Sequence, residues 1–297
     1  MASLRAHLYA FAVRRMVRPR LGDMSDLASV RRVFDGASFP DPLDVTYRPG
    51  ILGGISGEWV IPAPSERPET RLFYIHGGGF VACSARTHRP VTGSFARRGL
   101  TVFAPDYRLA PEHPFPAAID DLVAAWTEFA ALGPAAVAGD SAGGNLALAL
   151  MLRLREAGLP LPRAAALFSP VTDLVGTGLS HRANARRDAM FDPEGLRRLR
   201  PAYLGPADPA DPLASPLLAD LAGLPPLLLH VGERELLRDD SIRLAEKARA
   251  AGVPVELTVF PVVPHAWQFA GYRVPEARRS LSEATRFLRS RLARGDA

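Results

Sequence analysis

Residues 137–148, Val-Ala-Gly-Asp-Ser-Ala-Gly-Gly-Asn-Leu-Ala-Leu, constrain this chain more than any other stretch. A short apolar β-like segment passes through Gly139-Asp140-Ser141-Ala142-Gly143 into an Ala/Leu-rich segment that reads as a buried helix. Strand, tight turn and helix in that order form the setting of a nucleophile elbow. There a serine sits on a strained turn with its hydroxyl presented, and flanking glycines avoid collision with neighbouring backbone. Ser141 is the candidate nucleophile. An ordinary Gly/Ser turn would show the same five letters, so the rest of the chain must supply a base, an acid and donors for an oxyanion.

The donors have a candidate upstream. The apolar run Arg-Leu-Phe-Tyr-Ile at 71–75 reads as a strand buried on both faces, and it delivers His76-Gly77-Gly78-Gly79-Phe80 at its end. Three consecutive glycines let backbone approach a substrate closely and turn N–H groups toward a developing negative charge. With the N–H of the residue after the serine, the hole would be Gly78, Gly79 and Ala142, with His76 and Gly77 holding the loop in shape.

Composition sets the frame for these motifs. The 297 residues suffice for one large α/β domain with an appended cap, and 47% apolar with 23% charged residues is a globular balance. The net charge of +5 rests almost wholly on arginine, Lys247 being the only lysine. The arginines are scattered and not interleaved with aromatics, which argues against nucleic acid as a partner. Their densest group, Arg14, Arg15, Arg18 and Arg20, reads as the solvated face of an amphipathic N-terminal helix, with a polybasic membrane-surface patch as the competing reading. Arg5, Arg14 and Arg15 interrupt the apolar character of residues 1–20, and no uncharged apolar run reaches a membrane span, so no stable membrane insertion is expected. Cys83 is the single cysteine, which leaves no internal disulfide and points to the cytoplasm. Neither Cys/His metal spacing nor a phosphate-binding glycine fingerprint is present, and no metal or cofactor is expected.

In chain order, residues 1–45 read as one or two amphipathic helices closing in the proline-rich turn at 39–42. Short strands follow at 44–47 and 57–61, then a turn region at 62–68. The buried strand at 71–75 precedes another at 100–105, a Pro-punctuated loop at 106–116 and a helix at 117–132. Further strands are expected at 164–168, 227–231 and 255–262, with a helix at 241–250.

His76-Gly-Gly-Gly-Phe80, then Tyr107-Arg-Leu-Ala-Pro-Glu-His-Pro-Phe-Pro-Ala117, then Gly139-Asp-Ser-Ala-Gly-Gly-Asn145 resemble the signature blocks of the bacterial hormone-sensitive-lipase-like esterases. The resemblance spans nearly the whole chain, and three long blocks in order are far more specific than any one. It implies the α/β-hydrolase fold, with an eight-stranded, mostly parallel sheet, flanking helices and a helical cap. The cap would comprise residues 1–45 and 173–215, and the catalytic core residues 46–172 and 216–297.

The α/β-hydrolase order places the acid and then the histidine after the serine. His265, in Pro264-His265-Ala266-Trp267 behind the last strand, is the candidate base. His230 lies inside an apolar strand and reads as a core residue, and His76 belongs to the glycine loop. His7, His88, His113 and His181 have no motif context for proton transfer, although His181 could line the pocket. Family members commonly carry Asp followed by Pro-Leu where this chain has Glu235-Leu236-Leu237. Glu235 is the first choice for the acid, ahead of Asp239 and Asp240, which stand at the start of a helix where carboxylates serve as caps. The expected activity is carboxylesterase action on short- to medium-chain acyl esters through an acyl-enzyme on Ser141. The same triad in a lactone hydrolase, a peptidase or amidase, or a non-catalytic ligand-binding protein stands behind it. The expected partner is a small-molecule ester or lactone, with a homodimer through an edge strand as a further possibility.

Overall fold

The computed structural model describes residues 2–36, 40–63 and 70–293. Of the two proline-rich turns expected from the sequence, Phe39 and residues 64–68 lie outside the described residues.

The chain opens with α1 (Leu4–Met16), a 3-10 turn (Arg18–Leu21) and α2 (Leu27–Asp35). Then come β1 (Val45–Leu52) and β2 (Ile55–Pro62), which form an antiparallel hairpin. Its two-residue turn is Gly53-Gly54, both at positive φ, the geometry that matches strand twist and that glycine adopts without strain. The first strand runs further than the sequence suggested. Pro49 sits in it because β1 is an edge, where a missing N–H is tolerated.

The remaining elements alternate: β3 (Thr70–Ile75), α3 (Arg89–Ala96), β4 (Leu100–Pro105), α4 (Ala117–Ala131), β5 (Ala135–Asp140), α5 (Ala142–Glu156) and β6 (Ala165–Phe168). After the short α6 (Ser180–Ala183) and α7 (Pro193–Leu204) the sheet resumes with β7 (Leu227–Gly232), α8 (Arg238–Ala250), β8 (Val255–Phe260) and α9 (Pro275–Leu292). The sheet order is β1-β2-β4-β3-β5-β6-β7-β8, antiparallel through β2–β4 and parallel from there on.

Alternation along each central strand feeds two cores. Phe73, Val137, Leu167 and Leu229 face the layer that holds α4, α5 and α8. Leu72, Tyr74, Ala136 and Ala138 face α3 and α9. A parallel strand buried on both faces must be apolar at every position, which is why these strands read as unbroken apolar runs. The parallel order also brings the carboxyl ends of β3 to β8 to one edge of the sheet. All five non-glycine residues with positive φ among the described residues, Phe80, Cys83, Ser141, Ser169 and Ala266, lie in the loops or turns after β3, β5, β6 and β8. Each such conformation costs on the order of 1–3 kcal/mol and persists only where surrounding packing enforces it.

Candidate active site

Ser141 stands between the last residue of β5 and the first of α5, at φ 54° and ψ −119°. Its amide donates to Phe168 O at 2.8 Å, tying the elbow to the neighbouring strand β6. The two glycines of the motif are there for space. A Cβ on Gly139 would overlap Gly143 O, and a Cβ on Gly143 would overlap Ile75 O and His76 O, so α5 packs its backbone directly on the end of β3. Ala142, the first residue of α5, has an N–H with no intrahelical acceptor.

Beside the elbow, Gly78 (φ 114°) and Gly79 (φ 63°) line the same cavity as Ser141. The loop that carries them is held from beneath. The Gly77 amide is 3.2 Å from both Asp140 Oδ1 and His88 Nε2, and Tyr74 donates its hydroxyl proton to Asp140 Oδ1 at 2.8 Å. A Cβ on Gly77 would strike the Asp140 carboxylate. Burial works against the Asp140 charge, but His88 and Tyr74 hold its carboxyl below the usual range. His76 is packed within the same loop. Tyr107 stacks on its ring at 4.3 Å and donates to its carbonyl at 2.8 Å, while burial pushes the imidazole pKa down to about 3, leaving the ring neutral.

Across the cavity, His265 Nδ1 lies 2.7 Å from Glu235 Oε2. The other carboxylate oxygen of Glu235 accepts from Ser169 Oγ at 2.8 Å and from the Gly232 amide at 2.6 Å. Every hydrogen bond to this buried carboxylate is therefore a donor that holds it as an acceptor. Burial disfavours the His265 imidazolium, yet the Glu235 bond and the negative charges of Glu235, Asp188 and Asp140 outweigh it and raise the imidazole above its ordinary pKa. Phe191 sets its ring edge-on to the imidazole at 4.8 Å.

Asp239 and Asp240 are engaged elsewhere. Asp240 Oδ2 accepts from the amides of Thr172 and Asp173 at 2.7 and 3.1 Å, and Asp239 takes the Ser180 amide and the Arg238 guanidinium. Both fasten the segment after β6 to the start of α8. His230, fully buried, meets Ser280 Oγ through Nδ1 at 2.9 Å, as suits a core position. His181 lines the cavity.

Asp188 was not singled out by sequence reasoning. Its Oδ1 accepts from the amides of Met190 and Phe191 at 2.7 and 2.9 Å, and its Oδ2 from Leu236 N at 2.7 Å. The Leu236 N–H, which a proline at that position would lack, is thus in use. Ser169 and His88 were missed as well. Neither has a local signature, because each acquires its partner only when separate strands and loops converge.

The cavity has a volume of about 320 Å³ and is mainly apolar. Met16 and Val13 of α1, Phe34 of α2, and Leu199 and Tyr203 of α7 contribute to its walls, together with the Ser141, Gly79 and His265 positions. No group of metal-ligating side chains occurs among the described residues.

The sequence profile of an α/β-hydrolase fold family matches residues 72–269, the stretch holding the glycine loop, the elbow, Glu235 and His265. The chain belongs to that family. The hydrolase is 42% identical over 250 residues to the acetyl-hydrolase of Streptomyces hygroscopicus, covering 82% of this chain and 83% of the relative. The solved structure of an esterase from the bacterial hormone-sensitive lipase family superposes with a TM-score of 0.89 at 38% identity, covering 99% of this chain and 100% of that one. EstE5 soaked with p-nitrophenyl butyrate superposes with a TM-score of 0.92 at 36% identity over the same shares. This α/β-hydrolase is thus a serine carboxylesterase of the bacterial hormone-sensitive-lipase-like group.

Proposed function

We propose that the esterase cleaves short- to medium-chain acyl esters through an acyl-enzyme on Ser141, with His265 as base, Glu235 as acid and the amides of Gly78, Gly79 and Ala142 as the oxyanion hole. The observation that carries this reading is the 2.7 Å bond between His265 Nδ1 and Glu235 Oε2 on the cavity that Ser141 also lines. With Nδ1–H given to Glu235, the imidazole presents Nε2 as the acceptor for the Ser141 proton. Oγ attacks the ester carbonyl, and the carbonyl oxygen takes the negative charge beside the glycine loop. His265 returns the proton to the departing alcohol. It then takes a proton from water, whose oxygen attacks the acyl carbon and releases Ser141 and the carboxylic acid.

Residues 1–45 and 173–215 form the cap in this reading, since α1, α2 and α7 all supply cavity wall. An apolar cavity of about 320 Å³ suits a modest acyl chain. The acetyl group in one relative's name and the butyrate ester soaked into EstE5 point the same way. The reading also places the enzyme in the cytoplasm, supported by its single cysteine.

The test is hydrolysis of p-nitrophenyl esters from acetyl to palmitoyl, with wild type and Ser141→Ala side by side. The expected result is a rate that is greatest among short and medium chains and falls by about 10⁴-fold or more in the variant. Appreciable turnover by Ser141→Ala removes Ser141 as nucleophile. A maximum at palmitoyl removes the chain-length assignment.

A further inference from the structure

The N-terminal helix presents apolar side chains to solvent as well as the arginines its sequence suggested. At 3.6 residues per turn, Leu4, Leu8, Phe11 and Arg15 of α1 fall on one stripe about 60° wide. It lies opposite Ala6 and Val13, which are buried against the body. Leu4 is 75% exposed, Leu8 59% and Phe11 64%. Of the four arginines expected on a solvated face, Arg14, Arg15 and Arg20 are exposed, Arg14 also donating to Arg186 O at 2.9 Å, while Arg18 is half-buried and donates to Ala185 O at 2.8 Å and to Asp188 O. The exposed side of α1 therefore carries Leu4, Leu8 and Phe11 among its arginines Arg5, Arg14 and Arg15.

The charge carried by this segment of the chain has one sign. Arg5, Arg14, Arg15, Arg18 and Arg20 lie in the first 22 residues, which contain no Asp or Glu, so this segment holds as much formal charge as the whole chain's +5. Arg15 and Arg20 are exposed. Another side of the same helix, through Tyr9, Ala12 and Met16, lines the cavity, and Met16, 60% exposed, marks where that wall meets solvent.

We propose that α1 docks the esterase reversibly on an anionic lipid surface, with Leu4, Leu8 and Phe11 entering the headgroup boundary and Arg15 and Arg20 meeting lipid phosphates. A convex apolar stripe flanked by arginine needs no shape-matched groove, which a bilayer surface does not demand. A second copy is a poorer occupant, because a two-fold contact through this stripe would bring like-charged arginines, Arg15 among them, together. Nucleic acid would match the charge and leave the Leu and Phe side chains without an apolar partner. Docking in this orientation would bring the cavity's α1 wall to the surface where apolar esters partition.

The test is co-sedimentation of the full-length protein with vesicles of phosphatidylcholine and with equimolar phosphatidylcholine and phosphatidylglycerol, at low and high salt. Binding should favour the anionic vesicles and weaken with salt. The double variant Leu8→Glu/Phe11→Glu should bind at least about tenfold more weakly, because each change removes apolar burial and adds repulsion. Its hydrolysis of soluble p-nitrophenyl acetate, which reports folding, should stay within about twofold of wild type, since neither side chain lines the cavity. Arg15→Glu/Arg20→Glu provides an independent variant and should lose most of the salt-dependent part. Ser141→Ala should bind as wild type does, which separates docking from the catalytic assignment. The proposal is overturned if wild type ignores anionic vesicles, if Leu8→Glu/Phe11→Glu binds them equally well, or if the stripe instead supports a concentration-dependent dimer that this variant abolishes.

Discussion

Glu235 and Asp240 are both buried carboxylates, and their donors separate their roles. Glu235 meets an imidazole with one oxygen and two donors with the other, so a glutamine there would have to aim its NH₂ at a donor or at His265. Glu235→Gln is expected to lower kcat/KM by about 10²–10⁴-fold, since tautomer and orientation of the base are lost together. Asp240→Asn should leave kcat/KM within about threefold and cost about 1–3 kcal/mol of stability, because its carboxylate serves the amides of Thr172 and Asp173. Steady-state kinetics and urea unfolding on the two variants check both statements; the reverse order of activities would move the acid to Asp240. The raised pKa of His265 has a sign in the kinetics too. The reaction needs the neutral imidazole, so the acid limb of kcat/KM for wild type should have its midpoint above about 6.5, and Glu235→Gln should shift that limb downward.

At the scale of elements, glycines hold the site together for two physical reasons that mutation can separate. Gly143 lies within α5 and has an ordinary helical position, but no room: the carbonyls of Ile75 and His76 occupy the place of a side chain. Gly158, just past the end of α5, is at φ +64° with open space around its Cα. Gly143→Ala should therefore force α5 away from β3, destabilising the fold by at least about 2 kcal/mol and lowering turnover with it. Gly158→Ala should cost about 1–2 kcal/mol, the strain of a left-handed alanine, with activity retained. Urea midpoints and ester turnover of the two variants distinguish the cases.

For the whole molecule, burial of neutral histidines couples stability to pH. Burial pushes both His76 and His230 down to about 3, so in the folded state they stay neutral through mild acid, whereas the unfolded chain protonates them near pH 6.5. A group whose folded pKa is depressed in this way takes up its proton on unfolding, and stability falls as pH falls. Each histidine should contribute roughly 1.4 kcal/mol per pH unit between about pH 6 and pH 4. His265 acts in the opposite sense. Its raised pKa stabilises the fold below the unfolded value, and that contribution is lost as pH rises through the folded one. Below about pH 6 it is protonated in both states, so its contribution is constant and the slope is set by the other two. Denaturant unfolding at successive pH values should show a decline through this window; a flat profile would mean that water reaches both buried rings.

The three motif blocks and the unbroken apolar strands were sufficient, as sequence, to indicate the α/β-hydrolase fold and the esterase class. Their information is local: glycines where backbone crowds, a serine between strand and helix, apolar residues at every position of a doubly covered strand. Local pattern singled out Ser141 and His265 and the family resemblance Glu235; parallel strands ending on one edge of the sheet bring Ser141 and His265 to one cavity and Glu235 to His265. What surrounds them was illegible for the converse reason. Ser169 reaches Glu235 across 66 positions, Asp188 reaches Leu236 across 48, and His88 meets Asp140 only when the loop after β3 folds over the elbow. No short-range pattern marks such residues. The hairpin at Gly53-Gly54 was under-read because a proline inside β1 argues against a strand until its edge position is known. In α1 the sequence indicated a solvated arginine face, and Arg14, Arg15 and Arg20 are exposed; it did not indicate that Leu4, Leu8 and Phe11 share the solvent side. Packing decided that by burying Ala6 and Val13 against the body, which leaves the opposite side of the helix facing water whatever residues it carries.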